Sequence, residues 1–464
     1  MKKYFYNDKC RSKTAIAVLV IAMTACLYGC DSFTEVDLPG SQLTSPAVFR
    51  DKATATAAMT DIYSKIRDYG LLTGYPVGLS NQLGLYSDEL DSYGGSSLNF
   101  YNNNLVAAAP EIADWWNSSY NQVYAANAVA EGVQASPLDT AVKDQLLGEA
   151  LFTRALLHFY LMQVFGPVPY IKTTDYRANS TASRLPEAVV YENVAADLET
   201  ASSLLPEAYA TAERVRPNKS AARALLARVY LYSGKWAEAS NAASGVLNQN
   251  DLYANEADLG KTFLKESTAT IWQLMPGWAG DNTFEGGTFI FTSGPPPSVA
   301  LRESVVEAFE PGDLRKTSWT AAVTDGTTTW HHANKYKEKA AGESKEYSIV
   351  LRLAEVYLIR AEARARQGEI IGAREDLNTI RQLAGLPETT AATPDEIIAA
   401  VLRERRVELF TEFGHRFSDL KRTGNLDAVL SPQKPGWNTT DRLFPLPQGE
   451  LLVNPNLAPQ NEGY

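Results

Sequence analysis

Residues 351–380 read Leu351-Arg-Leu-Ala-Glu-Val-Tyr-Leu-Ile-Arg-Ala-Glu-Ala363-Arg-Ala-Arg-Gln-Gly368-Glu-Ile-Ile-Gly-Ala373-Arg-Glu-Asp-Leu377-Asn-Thr-Ile380. Apolar side chains recur at helical spacing on both sides of Gly368, which predicts helices over 347–367 and 369–384. Ala373, five positions after the glycine, is small enough to let two antiparallel helices approach closely. An earlier stretch repeats the arrangement, with Tyr230 before Gly234 and then Trp236, Ala239 and Val246. This is the pattern of a tetratricopeptide (TPR) hairpin, whose repeat is ~34 residues. Any tight helical hairpin selects Gly and Ala there as well. With two clear copies and a long insertion between them, a continuous solenoid is not expected. The expected fold is mainly α: TPR-like antiparallel helix pairs form a scaffold that carries a loop-rich insertion with short β elements.

The same periodicity extends outward. Helices are predicted over 45–68, with Pro46 in the first turn, and over 111–135, 141–164, 187–204, 217–232, 235–248 and 394–422. Within the last of these, Glu412 and Arg416 are spaced as an i,i+4 pair. Residues 69–110 and 251–346 differ in character, being rich in Gly, Pro, Asn and aromatics. They read as the loop-rich regions, with β-like runs at Thr270–Leu274 and Thr288–Thr292. Residues 423–464 read as an irregular C-terminal segment, and 46–464 as one unit.

The N-terminus carries an address. Lys2, Lys3, Lys9, Arg11 and Lys13 precede the apolar run Ala15–Met23, which is shorter than the ~20 residues a spanning helix needs. A basic stretch and a short apolar core read as a secretory signal over 1–29. It ends in Leu27-Tyr28-Gly29-Cys30, which resembles a bacterial lipobox although Tyr28 is bulky for its position. Lipidation at Cys30 would anchor the chain through several acyl chains, each buried CH₂ contributing ~0.8 kcal/mol, with 30–45 as an extended tether. Cleavage there removes Cys10 and Cys26, so no internal disulfide is available. It also moves the formal charge from −11 to −15, which argues against a nucleic-acid partner.

Several segments together resemble the SusD/RagB family of outer-membrane nutrient-binding lipoproteins. Leu151-Phe-Thr-Arg-Ala-Leu-Leu-His-Phe-Tyr-Leu-Met-Gln-Val-Phe-Gly-Pro-Val-Pro-Tyr170 is similar to the family's helix and turn, with Trp116, Tyr120 and Asn127 fitting the helix before it. Residues 351–363 with Leu377-Asn378 and Arg381 to Leu386, residues Arg403 to Arg422, and the ending Phe444-Pro-Leu-Pro-Gln448 through Tyr464 are similar to three further family segments. The resemblance implies a lipid-anchored, cell-surface binding protein, not an enzyme. It further implies delivery of a glycan, or in the RagB manner a peptide, to a SusC-like TonB-dependent transporter of the outer membrane. The matched segments are scaffold, so the resemblance assigns no ligand residue.

The ligand residues are sought in the irregular regions. Sugars present apolar C–H faces with polar rims, which suits aromatic platforms flanked by amides and carboxylates. Tyr93, Tyr101, Trp278, Phe284 and Trp330 are the candidate stacking residues, with Asp88 and Asn102 as hydrogen-bonding partners. For each aromatic alone, local loop core is the favoured reading; for the regions as a whole, a ligand face is. A surface glycosidase would need two carboxylates about 5–5.5 or 6.5–9.5 Å apart; Asp88, Glu89 and Asp91 are too close in sequence to imply that geometry. No nucleophile elbow or phosphate loop occurs. His331 and His332 would point to opposite sides of an extended chain, which disfavours a metal site. No cofactor is expected, and a structural Ca²⁺ held by loop acids stays open.

Overall fold

The computed structural model describes residues 45–73, 78–95 and 97–464. The leader, Cys30 and nearly all of the tether therefore lie outside the described residues. The principal helices are α1 (Lys52–Asp68), α2 (Leu79–Tyr86), α3 (Pro110–Gln134), α4 (Thr140–Phe165), α5 (Glu187–Leu204), α6 (Lys219–Tyr232), α7 (Trp236–Leu247), α8 (Leu353–Arg366), α9 (Ile370–Leu383), α10 (Pro394–Glu408) and α11 (His415–Arg422). The strands are β1 (Leu90–Ser92), β2 (Thr270–Leu274), β3 (Val299–Leu301), β4 (Thr320–Thr324), β5 (Thr329–Ala333) and β6 (Ser348–Arg352). Shorter helical turns, among them Leu98–Tyr101 and Phe284–Phe289, connect them.

Local chemistry starts these helices where the sequence suggests. Asp51 accepts from the Ala53 and Thr54 N–H groups ahead of α1, and Asn218 accepts from Ala221 N–H ahead of α6. α10 opens with Pro394 and a reciprocal capping box between Thr393 and Glu396. Gly234 and Gly368 both adopt positive φ, 75° and 80°, to turn the chain between paired helices. Ala239 and Ala373 are fully buried behind them, as close helix approach requires.

The helical array is more continuous in space than in sequence. α3 packs on α4, α4 on α5, α5 on α6 and α6 on α7, and α7 then packs directly on α8 across the whole insertion. Gln367 donates to the Trp236 carbonyl at 3.2 Å, and the Arg366 guanidinium lies 5.3 Å from the Trp236 ring centroid. The two turn motifs therefore touch. α4 is buried on every side from Leu146 through Phe165 apart from Leu147, as expected of a helix enclosed by neighbours.

Four readings of the sequence need correction. Residues 348–352 are strand β6, paired antiparallel with β2, and not the first turn of a helix. All five are buried, and a short apolar run looks alike in either state. The helix expected over 394–422 breaks at 409–414, where Thr411, Phe413 and Gly414 take positive φ. Glu412 and Arg416 consequently face different partners. Glu412 binds Arg352 at 2.8 Å and the Lys335 ammonium, whereas Arg416 binds Asp88. The run 288–292 is not a strand; Thr283 caps a helical turn over Phe284–Phe289. Finally, the loop-rich stretch 69–110 holds a helix that the periodicity does not announce, α2, all eight residues of which are buried in the core.

Candidate ligand-binding site

A four-stranded antiparallel sheet in the order β1-β3-β5-β4 joins the two aromatic-rich regions. Its register sets Asp91 opposite Ala300 and Leu301 opposite His331. Beyond β1, the Tyr93 and Gly94 N–H groups both donate to the Ser298 carbonyl, at 2.7 and 3.1 Å. Tyr93 thereby reaches Trp330 on β5. Their rings meet edge-to-face, with centroids 6.4 Å apart and planes at 89°. Such pairs are worth ~0.5–1.5 kcal/mol beyond their buried area. Tyr93 remains 45% exposed and Trp330 half-buried, so the pair reaches solvent. Trp330 fits because residue 294 is glycine: a Cβ there would lie 2.0 Å from the indole.

Tyr101 adds a third ring to this face. Its hydroxyl donates to Asp91 at 3.1 Å, and Asp91 also lies 3.4 Å from Arg302. The Lys434 ammonium sits 4.3 Å from the Tyr101 ring centroid and donates to the Tyr101 carbonyl at 2.7 Å and to the Leu85 carbonyl. Burial, helped by the nearby Arg302 charge, pushes the Lys434 amine down to about 7. Burial and then Asp91 raise the hydroxyl pKa values of both Tyr93 and Tyr101. Asn102 follows Tyr101 on the surface, and its amide has no protein partner among the described residues.

The remaining candidates are placed differently. Trp278 is 81% exposed on the segment 275–284, beside Met275, and makes no ring contact with Tyr93, Tyr101 or Trp330. Asn282 fixes that segment by donating to the Ala340 and Glu343 carbonyls and accepting from Lys345 and Glu346 N–H. Phe284 is half-buried and lines a small crevice with Leu72 and Asn81. Asp88 does not face solvent. It is 1% exposed and accepts from Arg416 and Arg406. Against the cost of burial, those two guanidiniums hold its carboxyl below the ordinary range. Burial beside Asp88 instead pushes Glu89 up to about 8.

Sequence reasoning left Arg302 and Lys434 out of the site. No periodicity marks either one, because both act through contacts between distant segments. Trp319, within the same aromatic-rich stretch, is 1% exposed and donates to the Leu259 carbonyl, so it is core. Among the described residues no three His, Cys, Asp or Glu side chains are grouped as a metal site requires. No described helix is long and apolar enough to cross a membrane.

Residues 81–231 match the family described as "Starch-binding associating with outer membrane", and residues 284–464 match the SusD family. Together the matches span well over half of the sequence. The chain belongs to the SusD/RagB family. Its curated SusD-like relatives include SusD-like protein P2 of Formosa agariphila, 27% identical over 97% of this chain and 100% of the relative. A SusD-like protein of Bacteroides ovatus is 25% identical over 86% of this chain and 81% of its own length. The SusD fold is equally plain in solved structures. A SusD-like protein from Bacteroides fragilis superposes with a TM-score of 0.77 at 22% identity, covering 90% of this chain and 98% of that one. A laminarin-binding SusD-like protein gives 0.77 at 23% identity, over 90% and 100%.

Proposed function

We propose that this SusD-like chain is a non-catalytic cell-surface protein that captures an oligo- or polysaccharide. On this reading it is anchored in the outer membrane by lipid at Cys30 and passes its ligand to a TonB-dependent transporter. The observation that carries the ligand class is the edge-to-face pair of Tyr93 and Trp330 at the sheet, with Tyr101 tied to β1 through Asp91. Their rings offer apolar faces to the C–H surfaces of sugars, and Asn102 offers an amide to the hydroxyls. The laminarin-binding neighbour supports a carbohydrate as ligand. Neither Asp88 nor Glu89 is exposed enough to serve as a catalytic carboxylate, since both are buried and Asp88 is held by two arginines. Trp278 and Phe284 form a second aromatic stretch that we assign to the same ligand's further units.

Titration calorimetry with neutral glucan oligosaccharides, α- and β-linked, tests the reading. Saturable binding that Trp330→Ala weakens is expected. Binding of peptides alone, unchanged binding in Trp330→Ala, or turnover of the glycan would overturn it.

A further inference from the structure

Arg406 holds Asp88 with one nitrogen only. Its Nη2 lies 3.3 Å from Asp88 Oδ2 and 3.2 Å from the Ser304 carbonyl, while Nε and Nη1 have no protein partner among the described residues. Arg406 lines a cleft of about 540 Å³ between α10 and the chain at 308–313 and 387–390, well inside the ~300–1,000 Å³ range of small-ligand sites. Arg403, three residues earlier and so on the same helix face, also lines it. Arg403 is exposed and forms no ion pair among the described residues. A third cation, Arg381, is already saturated by Glu310 at 2.6 Å and Glu404 at 3.2 Å. The cleft lining therefore includes two arginines, three residues apart, with donors to spare.

Acceptors line the same cleft. Glu388 is exposed and receives only a long contact from Gln382, at 3.4 Å, and Thr390 lines the cleft with it. A small inorganic anion would gain the arginines but meet the Glu388 and Glu310 carboxylates in the same lining. A neutral sugar would satisfy the acceptors and leave Arg403 and the free nitrogens of Arg406 without a carboxylate. A hydroxylated carboxylate satisfies both.

We infer that this cleft is a second binding site, specific for an acidic sugar. The carboxylate of a uronate takes the free fork of Arg406 together with Arg403, and the ring hydroxyls donate to Glu388 and Thr390. The site shares no residue with the aromatic face, so its ligand is bound independently of the proposed capture of neutral glycan.

Calorimetric titration of the purified full chain with sodium glucuronate, glucose, acetate and glycine tests this. Glucuronate is expected to bind and glucose and acetate to bind at least tenfold more weakly, with affinity falling as salt is raised. Arg403→Ala should weaken glucuronate about tenfold or more, as loss of a charge-assisted hydrogen bond does, and Arg403→Lys should recover only part, lacking the planar fork. Arg403 has no structural partner, so the variant should fold and should keep its affinity for neutral oligosaccharide. Trp330→Ala should leave glucuronate binding intact even if it abolishes glycan capture. Equal affinity for glucuronate and acetate, tighter binding of glycine, an unaltered Arg403→Ala, or loss of glucuronate binding in Trp330→Ala would each overturn the inference.

Discussion

Arg416 grips Asp88 with two nitrogens, Nε at 2.7 Å and Nη2 at 2.8 Å, inside a site where Asp88 is 1% exposed. The pair ties α11 to the loop between α2 and β1, and so fixes the strand that leads into Tyr93. Removing one partner of a buried pair leaves an uncompensated charge and costs about 3–5 kcal/mol. Asp88→Asn is therefore expected to lower the unfolding free energy by that order in urea denaturation. Because the folded carboxyl is held below its ordinary value, the stabilisation is full above the ordinary carboxylate pKa and is lost as pH falls through the depressed folded value. The difference between parent and Asp88→Asn should shrink in strong acid, and a difference constant with pH would refute the pairing.

Glu89 behaves in the opposite sense. Burial beside Asp88 raises it from 4.5 to about 8, so between those values the folded chain holds a proton that the unfolded chain has released. Stability from this group falls as pH rises across that window. Glu89→Gln, which mimics the protonated form, should be nearly neutral at pH 5 and should decline less than the parent between pH 5 and 8. Parallel stability curves for the two proteins would contradict the burial of an uncharged carboxyl.

How far the sequence foretold this arrangement depends on the range of the contact. The hairpins around Gly234 and Gly368 were legible because periodicity, turn glycine and small residue all lie within one short stretch. The break after Glu408 was not, since Thr411 and Phe413 adopt a left-handed backbone that their side chains do not advertise. Tyr93, Tyr101 and Trp330 could be chosen as aromatic candidates, but the meeting of Tyr93 with Trp330 depends on β3 pairing with both β1 and β5. Composition equally selected Asp88, and only the distant Arg416 shows it to be buried scaffold.

The glycines at helix junctions separate two costs. Gly234 has φ 75°, and an added Cβ would come no nearer than 3.6 Å to Trp236. Gly234→Ala should therefore cost only the left-handed backbone penalty, about 1–2 kcal/mol. Gly414 has φ 71°, but its Cβ would fall 2.2 Å from Leu83 Cδ1 in the core. Gly414→Ala adds overpacking of about 1–3 kcal/mol to the same penalty. Denaturation midpoints should rank parent, Gly234→Ala and Gly414→Ala in descending order, and equal losses would argue against tight packing of α2 on the break.

Gly294 gives a test of the aromatic face that leaves every aromatic residue in place. Its Cβ position lies 2.0 Å from Cζ3 and 2.6 Å from Cε3 of Trp330. Alanine cannot coexist with the indole as it stands, and Trp330 is held on a strand whose backbone is paired on both sides. The ring must therefore swing, losing its edge-to-face contact with Tyr93. Gly294→Ala should weaken oligosaccharide binding by about tenfold, the order of one lost aromatic contact, and should change the tryptophan emission of the free protein. Thermal denaturation should show a modest loss, because Trp330 is half-exposed and its displacement opens no core cavity. Combining Gly294→Ala with Trp330→Ala should add little to either alone, since both remove the same ring from the same place. Additive losses would mean that the ligand does not rest on Trp330.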